Sequence, residues 1–218
     1  MRLGLLGGTF DPIHVGHLDV ARAACRALSL DRILLLPSHV PPHRGAPHAS
    51  PSHRFAMAVL ATQDEPWLEV SDLELLDTAP SFTSTTLDRL EAAGHDTRGL
   101  FFVTGADAFH EIRTWKDYPA LLDRCHFIVV SRPDWPAGAL RAALPELAAR
   151  LCDAPCEIPA RPSIFLVDAP TAPVSSTDIR RRIAEGLEVR GLVPPAVEAH
   201  ILKHRLYGHH ARTRNAHT

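Results

Sequence analysis

At 218 residues, with 45% hydrophobic and 22% charged side chains, the chain has the makeup of a globular protein with one substantial core. A formal net charge of −2 excludes wholesale binding to nucleic acid, so any recognition of phosphate has to be local. No apolar stretch approaches membrane-spanning length, and the first residues are too short and glycine-broken for a signal peptide, which predicts a cytoplasmic protein with no membrane partner.

The first predicted strand, Leu3 to Leu6, runs into Gly7-Gly8-Thr9-Phe10-Asp11-Pro12-Ile13-His14-Val15-Gly16-His17-Leu18 and then into a helix through Leu28. Gly7 and Gly8 lack Cβ atoms, so the backbone can turn tightly at the strand end and bring its N–H groups close to a phosphate. A helix opening at Val15 or Gly16 adds unpaired N–H groups and the positive end of a dipole. His14 and His17 stand one helical turn apart, which puts two imidazoles of near-neutral pKa on the same side, with Gly16 leaving the space between them open. The pattern is neither a Walker A loop, which needs a lysine, nor the G-x-G-x-x-G dinucleotide turn.

Arg32 to Pro37 is a second apolar strand, and the proline- and histidine-rich stretch after it is a loop. Within that loop Arg44 follows the stiff Pro41-Pro42 pair and is either a phosphate contact or a solvated surface cation. A helix is predicted over Ser52 to Gln63 and a half-buried strand over Leu68 to Leu73. The hydroxyl cluster that follows, which includes Thr83, reads by itself as a turn and a helix cap leading into a helix through Ala93.

Leu100 to Gly105 is the next buried strand, and Asp107 lies just beyond its carboxyl end, where ligands of open parallel sheets bind. There Asp107 can accept hydrogen bonds from ribose hydroxyls, cap a helix over Ala108 to Arg113, or do both. Trp115, among polar neighbours, either stacks on a planar heterocycle or enters the core. A strand over Cys125 to Ser131 delivers Arg132 to another carboxyl end. The alanine-rich stretch from Ala137 to Leu151 reads as helix broken at Pro145, a peripheral insertion with a packing stripe of Leu140, Leu144, Leu147 and Leu151. The cysteines Cys25, Cys125, Cys152 and Cys156 read as reduced and structural, since one C-x-x-x-C pair is a poor zinc signal.

After a last strand, Ser163 to Asp168, comes Ser175-Ser176-Thr177-Asp178-Ile179-Arg180. Ser175 with Asp178 fits a capping box, while Ser176, Thr177 and the first-turn N–H groups can also hold phosphate, with Arg180 a turn further on the same side. Pro194 to Tyr207 is a closing helix and 208–218 a flexible tail, which leaves 1–207 as a single domain. Strands alternating with helices predict an α/β doubly wound, mostly parallel sheet with the glycine turn at its switch point.

The stretch Gly7 to Leu18 resembles the His-x-Gly-His signature of the nucleotidylyltransferase superfamily. With Pro41-Pro42-His43-Arg44, Pro80-Ser81-Phe82-Thr83, Gly105-Ala106-Asp107, Trp115, Arg132-Pro133 and Ser175 to Arg180, the chain is similar to the bacterial nicotinate-nucleotide adenylyltransferases from Leu3 to Tyr207. That resemblance implies a Rossmann-like fold and transfer of AMP from ATP to nicotinate mononucleotide, with deamido-NAD and pyrophosphate as products. It implies that Mg2+ arrives on the ATP phosphates, with no protein residue assigned to metal. It places Gly7, Gly8, Thr9, Phe10, His14, His17, Gly105, Asp107, Ser175, Ser176, Thr177 and Arg180 at ATP, with His14, His17 and Arg180 in the chemistry. Arg44, Thr83, Trp115 and Arg132 fall to the acceptor. Two positions depart from the family pattern: Arg44 stands where lysine is usual, and Phe82 where tyrosine is usual. Within the same fold the acceptor could instead be nicotinamide mononucleotide, phosphopantetheine or a sugar-alcohol phosphate, and a non-catalytic nucleotide sensor is the competing class. A homo-oligomer is compatible with the sequence.

Overall fold

The computed structural model describes residues 1–40, 45–76, 80–154 and 157–208. The predicted Pro41 to Arg44 contact, Cys156 and nearly all of the C-terminal tail lie outside the described residues.

Seven strands form one sheet: β1 (Leu3–Gly8), β2 (Arg32–Pro37), β3 (Leu68–Val70), β4 (Leu100–Gly105), β5 (His126–Val130), β6 (Leu151–Asp153) and β7 (Ile164–Val167). Their order is β3-β2-β1-β4-β5-β7-β6, and every pairing is parallel. Parallel neighbours need crossovers, and helices supply most of them: α1 (Val15–Leu28), α2 (Pro51–Thr62), α3 (Thr83–Ala92), α4 (Ala106–His110) and α5 (Leu140–Ala143), while α6 (Ser176–Ala184) and α7 (Pro195–His204) follow the last strand.

Side chains alternate across each strand, so the sheet builds two cores. Leu6, Ile33, Leu35, Val103 and Val130 meet α1, α2, α6 and α7 through Leu18, Ala21, Met57, Ile179 and Ile201. Leu3, Leu5, Phe102, Phe127 and Val129 meet the opposite layer through Leu87, Leu90, Phe109 and Leu140. Strands buried on both faces carry near-continuous apolar runs, as β2 and β5 do.

The direction of winding reverses between β1 and β4, which both leave the sheet at the same edge. Ligands of such sheets bind at that crevice, beyond the carboxyl ends. The glycine turn follows β1, Asp107 follows β4 and Arg132 follows β5.

The segment from Ala137 to Leu151 departs from its predicted form. It is a 3-10 turn at Ala137–Ala139, the short α5, and a second 3-10 run at Pro145–Arg150 that feeds the edge strand β6. Pro145 cannot donate into a continuing helix, and Leu144 leaves helical geometry at φ −129° and ψ 61°. Its leucine stripe is buried as expected, yet the segment is no peripheral insertion, because it fills the core and extends the sheet. The strand expected over Leu68 to Leu73 stops at Val70, and its last backbone pairing is Ser71 N–H to the Leu35 carbonyl before a turn at Asp72. Cys25, Cys125 and Cys152 are free thiols, and burial pushes Cys125 up to about 12. No helix among the described residues is long and apolar enough to cross a membrane.

Candidate active site

The turn after β1 is shaped by its glycines and by Phe10. Phe10 is buried in the left-handed region at φ 49°, and a Cβ on Gly8 would come within 2.8 Å of its ring. Gly8 therefore makes room for Phe10, whose ring edge then meets His17 with centroids 5.0 Å apart. A Cβ on Gly7 would touch Phe102 at 3.4 Å, so the turn lies directly against the β4 side chain beneath it.

α1 begins where the sequence predicts. His14 is its N-cap, and the rings of His14 and His17 are stacked at 3.7 Å between centroids. The His14 N–H donates to His17 Nδ1 at 3.2 Å, so in neutral His17 the ring proton sits on Nε2. His14 differs from expectation. It is 2% exposed, and burial, aided by the Arg132 guanidinium, lowers its pKa to about 3. It is a neutral imidazole at ordinary pH rather than a group poised near neutrality. The space at Gly16 is not open either. A Cβ there would meet Val174 at 3.1 Å and both Arg132 Nη1 and His14 Nδ1 at 3.2 Å, and Arg132 Nη1 donates to the Gly16 carbonyl. Gly16 thus lets the loop before α6 and the Arg132 side chain close over the start of α1.

The two stretches expected to bind phosphate come together, although 164 and 169 residues separate the two bonded pairs. Ser176 Oγ donates to the Pro12 carbonyl at 2.9 Å, and Arg180 Nη1 donates to the Asp11 carbonyl at 2.7 Å. Ala172 N–H donates to Asp19 of α1 at 3.0 Å. Ser175 is the N-cap of α6, accepting from Asp178 N–H at 3.1 Å. The capping box is incomplete, because the Asp178 carboxylate pairs with Arg181 at 2.6 Å instead. The Ser176 and Thr177 N–H groups open that helix and have no partner within it, and beside them Arg180 Nη2 reaches Thr177 Oγ1 at 3.3 Å.

Asp107 is the second residue of α4, whose N-cap is Gly105, so the capping role expected for it is not the one it has. Its carboxylate is exposed beside the Arg132 stem, since a Cβ on Gly105 would meet both. A cavity of about 460 Å³ adjoins Arg132 and is bounded by Ser131, Asp134, Asp168, Ala169, Thr171 and Pro173 among others.

On the far side of the turn, Trp115 is half-buried, edge-on to Phe102 at 5.8 Å and to Phe127 at 6.5 Å. It thus belongs partly to the core, while Phe102 links it to Gly7. Thr83 is the first residue of α3, whose N-cap, Phe82, supplies no side-chain hydrogen bond, leaving the helix start uncapped. Lys116 Nζ lies 5.2 Å from the Phe82 ring centroid.

Sequence reasoning assigned nothing to three residues that matter here. Arg54, fully buried, donates from its guanidinium to the carbonyls of Thr9, Ser38, His39 and Ala49. Tyr207 donates to Asp11, and Lys116 brings charge to the α3 start. The one trace of Arg54 in the sequence is a cation on the mostly apolar inner face of α2, with Met57, Ala58 and Ala61.

A family model described as Cytidylyltransferase-like matches residues 5–182. The "Probable nicotinate-nucleotide adenylyltransferase" of Roseiflexus sp. (strain RS-1) is 42% identical over 207 residues, covering 94% of this chain and 97% of that protein. A protein of the same name from Pectobacterium atrosepticum is 40% identical over 205 residues, covering 92% and 96%. Among solved structures, Plasmodium falciparum nicotinic acid mononucleotide adenylyltransferase complexed with NaAD has the same fold, with a TM-score of 0.69, 17% identity and coverage of 94% and 96% of the two chains. The chain belongs to the nicotinate-nucleotide adenylyltransferase family.

Proposed function

We propose that the protein transfers the adenylyl group of ATP to nicotinate mononucleotide, giving deamido-NAD and pyrophosphate. The observation that carries this reading is the junction of the glycine turn with the start of α6, where Arg180 and Ser176 bind the carbonyls of Asp11 and Pro12. The triphosphate lies along that junction, between the His17 Nε2 donor and the first-turn N–H groups of α6. His14 acts as a neutral neighbour that fixes His17. Ser176 and Arg180 use one donor each on the turn, so part of their contribution is to hold its shape. Asp107 takes the ribose hydroxyls, and the cavity beside Arg132 and Asp168 has room for the purine.

The acceptor occupies the other side of the turn. Trp115 backs the pyridine ring, and the uncapped N–H groups at Thr83, with the positive helix end and Lys116 nearby, favour a carboxylate over an amide. That arrangement needs no tyrosine hydroxyl at Phe82.

The acceptor phosphate has a second pKa near ~6, so it is already a nucleophile at neutral pH and no protein base is required. In-line attack on the α-phosphorus brings two anions together and moves negative charge onto the departing pyrophosphate. Positioning and preorganised donors therefore dominate, and no covalent enzyme intermediate forms. Mg2+ bound to the triphosphate would neutralise part of that charge. The protein side of the junction offers N–H donors and cations rather than oxygens. Asp11 is already occupied by three donors, so the residues fit an ion carried by the phosphates, with the exposed carboxylates of Asp107, Asp134 and Asp168 around Arg132 nearby. The reaction belongs to the cytoplasm.

The test is to incubate the protein with ATP, Mg2+ and one acceptor at a time while following pyrophosphate. Release with nicotinate mononucleotide, well above that with nicotinamide mononucleotide or phosphopantetheine, is expected. No release with any acceptor would leave the sensor reading in its place.

A further inference from the structure

We propose that Arg54 is a positioning residue for the transfer: its buried guanidinium sets the glycine turn after β1 against the segment that leaves β2, and so sets one substrate against the other. This rests on the reading of the site given above.

Four carbonyls from three parts of the chain converge on this one side chain. Nη1 donates to Thr9 at 2.8 Å and to Ser38 at 2.6 Å, Nη2 to His39 at 3.2 Å, and Nε to Ala49 at 3.3 Å. A guanidinium presents its donors in one rigid plane, so it fixes these carbonyls relative to each other as a flexible ammonium cannot. Arg54 also serves the fold, since it satisfies buried carbonyls beside the Asp11 carboxylate, but which carbonyls it gathers calls for a further reason.

What the carbonyls do on their other side gives the reason. In a trans peptide the C=O and the following N–H point in opposite directions. With the Thr9 carbonyl turned in toward Arg54, the next N–H, that of Phe10, faces away from it, on the side of the turn where phosphate is expected. With the Ser38 carbonyl turned in, the His39 N–H faces outward and donates to Ser81 Oγ at 3.0 Å. Ser81 opens the loop that leads to Thr83 and the acceptor carboxylate, and its N–H is tied to Val40 at 3.0 Å. One guanidinium is thus shared between the ATP turn and the acceptor loop, two peptide planes apart.

The experiment compares wild-type protein with Arg54→Lys, which keeps the charge and loses the fork, and with Arg54→Gln as a second variant. Active sites are counted by calorimetric titration with ATP, so that a lowered folded fraction cannot pass for slow turnover. The expected result is unchanged stoichiometry, affinity for ATP and KM for the acceptor within about threefold, and kcat per site lower by ~10–100-fold, the scale of an ångström misplacement. Turnover within twofold of wild type overturns the proposal. So does a loss of turnover matched by loss of ATP affinity, which would make Arg54 a wall of one pocket. If neither variant unfolds cooperatively, Arg54 serves the fold alone and the proposal is again overturned. Wild-type protein without turnover would remove the underlying activity as well, whereas wild-type turnover with an unaffected variant removes this proposal only.

Discussion

The Tyr207 hydroxyl donates a 2.8 Å hydrogen bond to Asp11 Oδ1, tying the end of the described chain to the turn that opens it. Asp11 is 3% exposed and also accepts from His48 N–H at 2.7 Å and Ala49 N–H at 3.0 Å, with the Arg180 guanidinium 3.9 Å away. Its carboxylate is the point where β1, α2, α6 and the residues after α7 are fastened together.

Removing the hydroxyl isolates that fastening. Tyr207→Phe leaves a buried carboxylate one donor short, and hydrogen bonds to charged groups contribute about 1.5–3 kcal/mol. A loss of that size in urea unfolding is expected, with turnover reduced less than stability. An unchanged unfolding midpoint would show that Asp11 does not need this donor.

His14 makes stability depend on pH in a stated direction. Its folded pKa of about 3 lies below the ordinary 6.5, so between those values the unfolded chain takes up the proton more readily. The stabilisation is complete above the unfolded pKa and is lost as pH falls toward about 3, with a slope approaching about 1.4 kcal/mol per pH unit. Urea unfolding of wild type and His14→Asn across that window measures it. The variant is expected to show the shallower dependence, and equal slopes would refute the assignment.

His17 separates catalysis from capping. In His17→Asn the side-chain oxygen can still accept from the His14 N–H, while the Nε2 donor is gone. Losing one preorganised donor costs about a hundredfold or more in rate. His17→Asn is therefore expected to stay close to wild type in thermal stability and to lose at least that much turnover. His17→Ala should lose both. Near wild-type turnover in His17→Asn would remove the phosphate role.

Gly105→Ala should do the reverse of a core mutation. The added methyl meets the exposed Asp107 carboxylate, which can swing aside, and the stem of Arg132, which is held at the Gly16 carbonyl and has to give slightly. Unfolding should change by less than about 1 kcal/mol, below the roughly 1–3 kcal/mol usual when a core is overpacked, while KM for ATP rises several-fold. A large stability loss with unchanged KM would place Asp107 outside the nucleotide site.

The sequence made the sheet legible because strands buried on both faces are unbroken apolar runs. β2 and β4 match their predicted bounds, and the start of α1 matches as well. β6 was not legible, since three residues carry no period and pairing with β7 alone defines them. The two stretches that meet at Asp11 and Pro12 were legible because glycines, hydroxyls and a histidine pair at helical spacing leave a local pattern. The state of His14 was not, because its low pKa comes from burial that only the closed fold creates, and in smaller part from Arg132, 118 positions further along. Arg54 and Tyr207 were missed for the same reason: each acts on main chain or carboxylate groups distant in sequence, and nothing beside them marks it.

The most direct measurement is a crystal structure of the protein with a non-hydrolysable ATP analogue. The account predicts a triphosphate held at once by His17 Nε2 and by the N–H groups at the start of α6, each at hydrogen-bond distance, roughly 3 Å. A triphosphate bound at one of these stretches and clear of the other would contradict it.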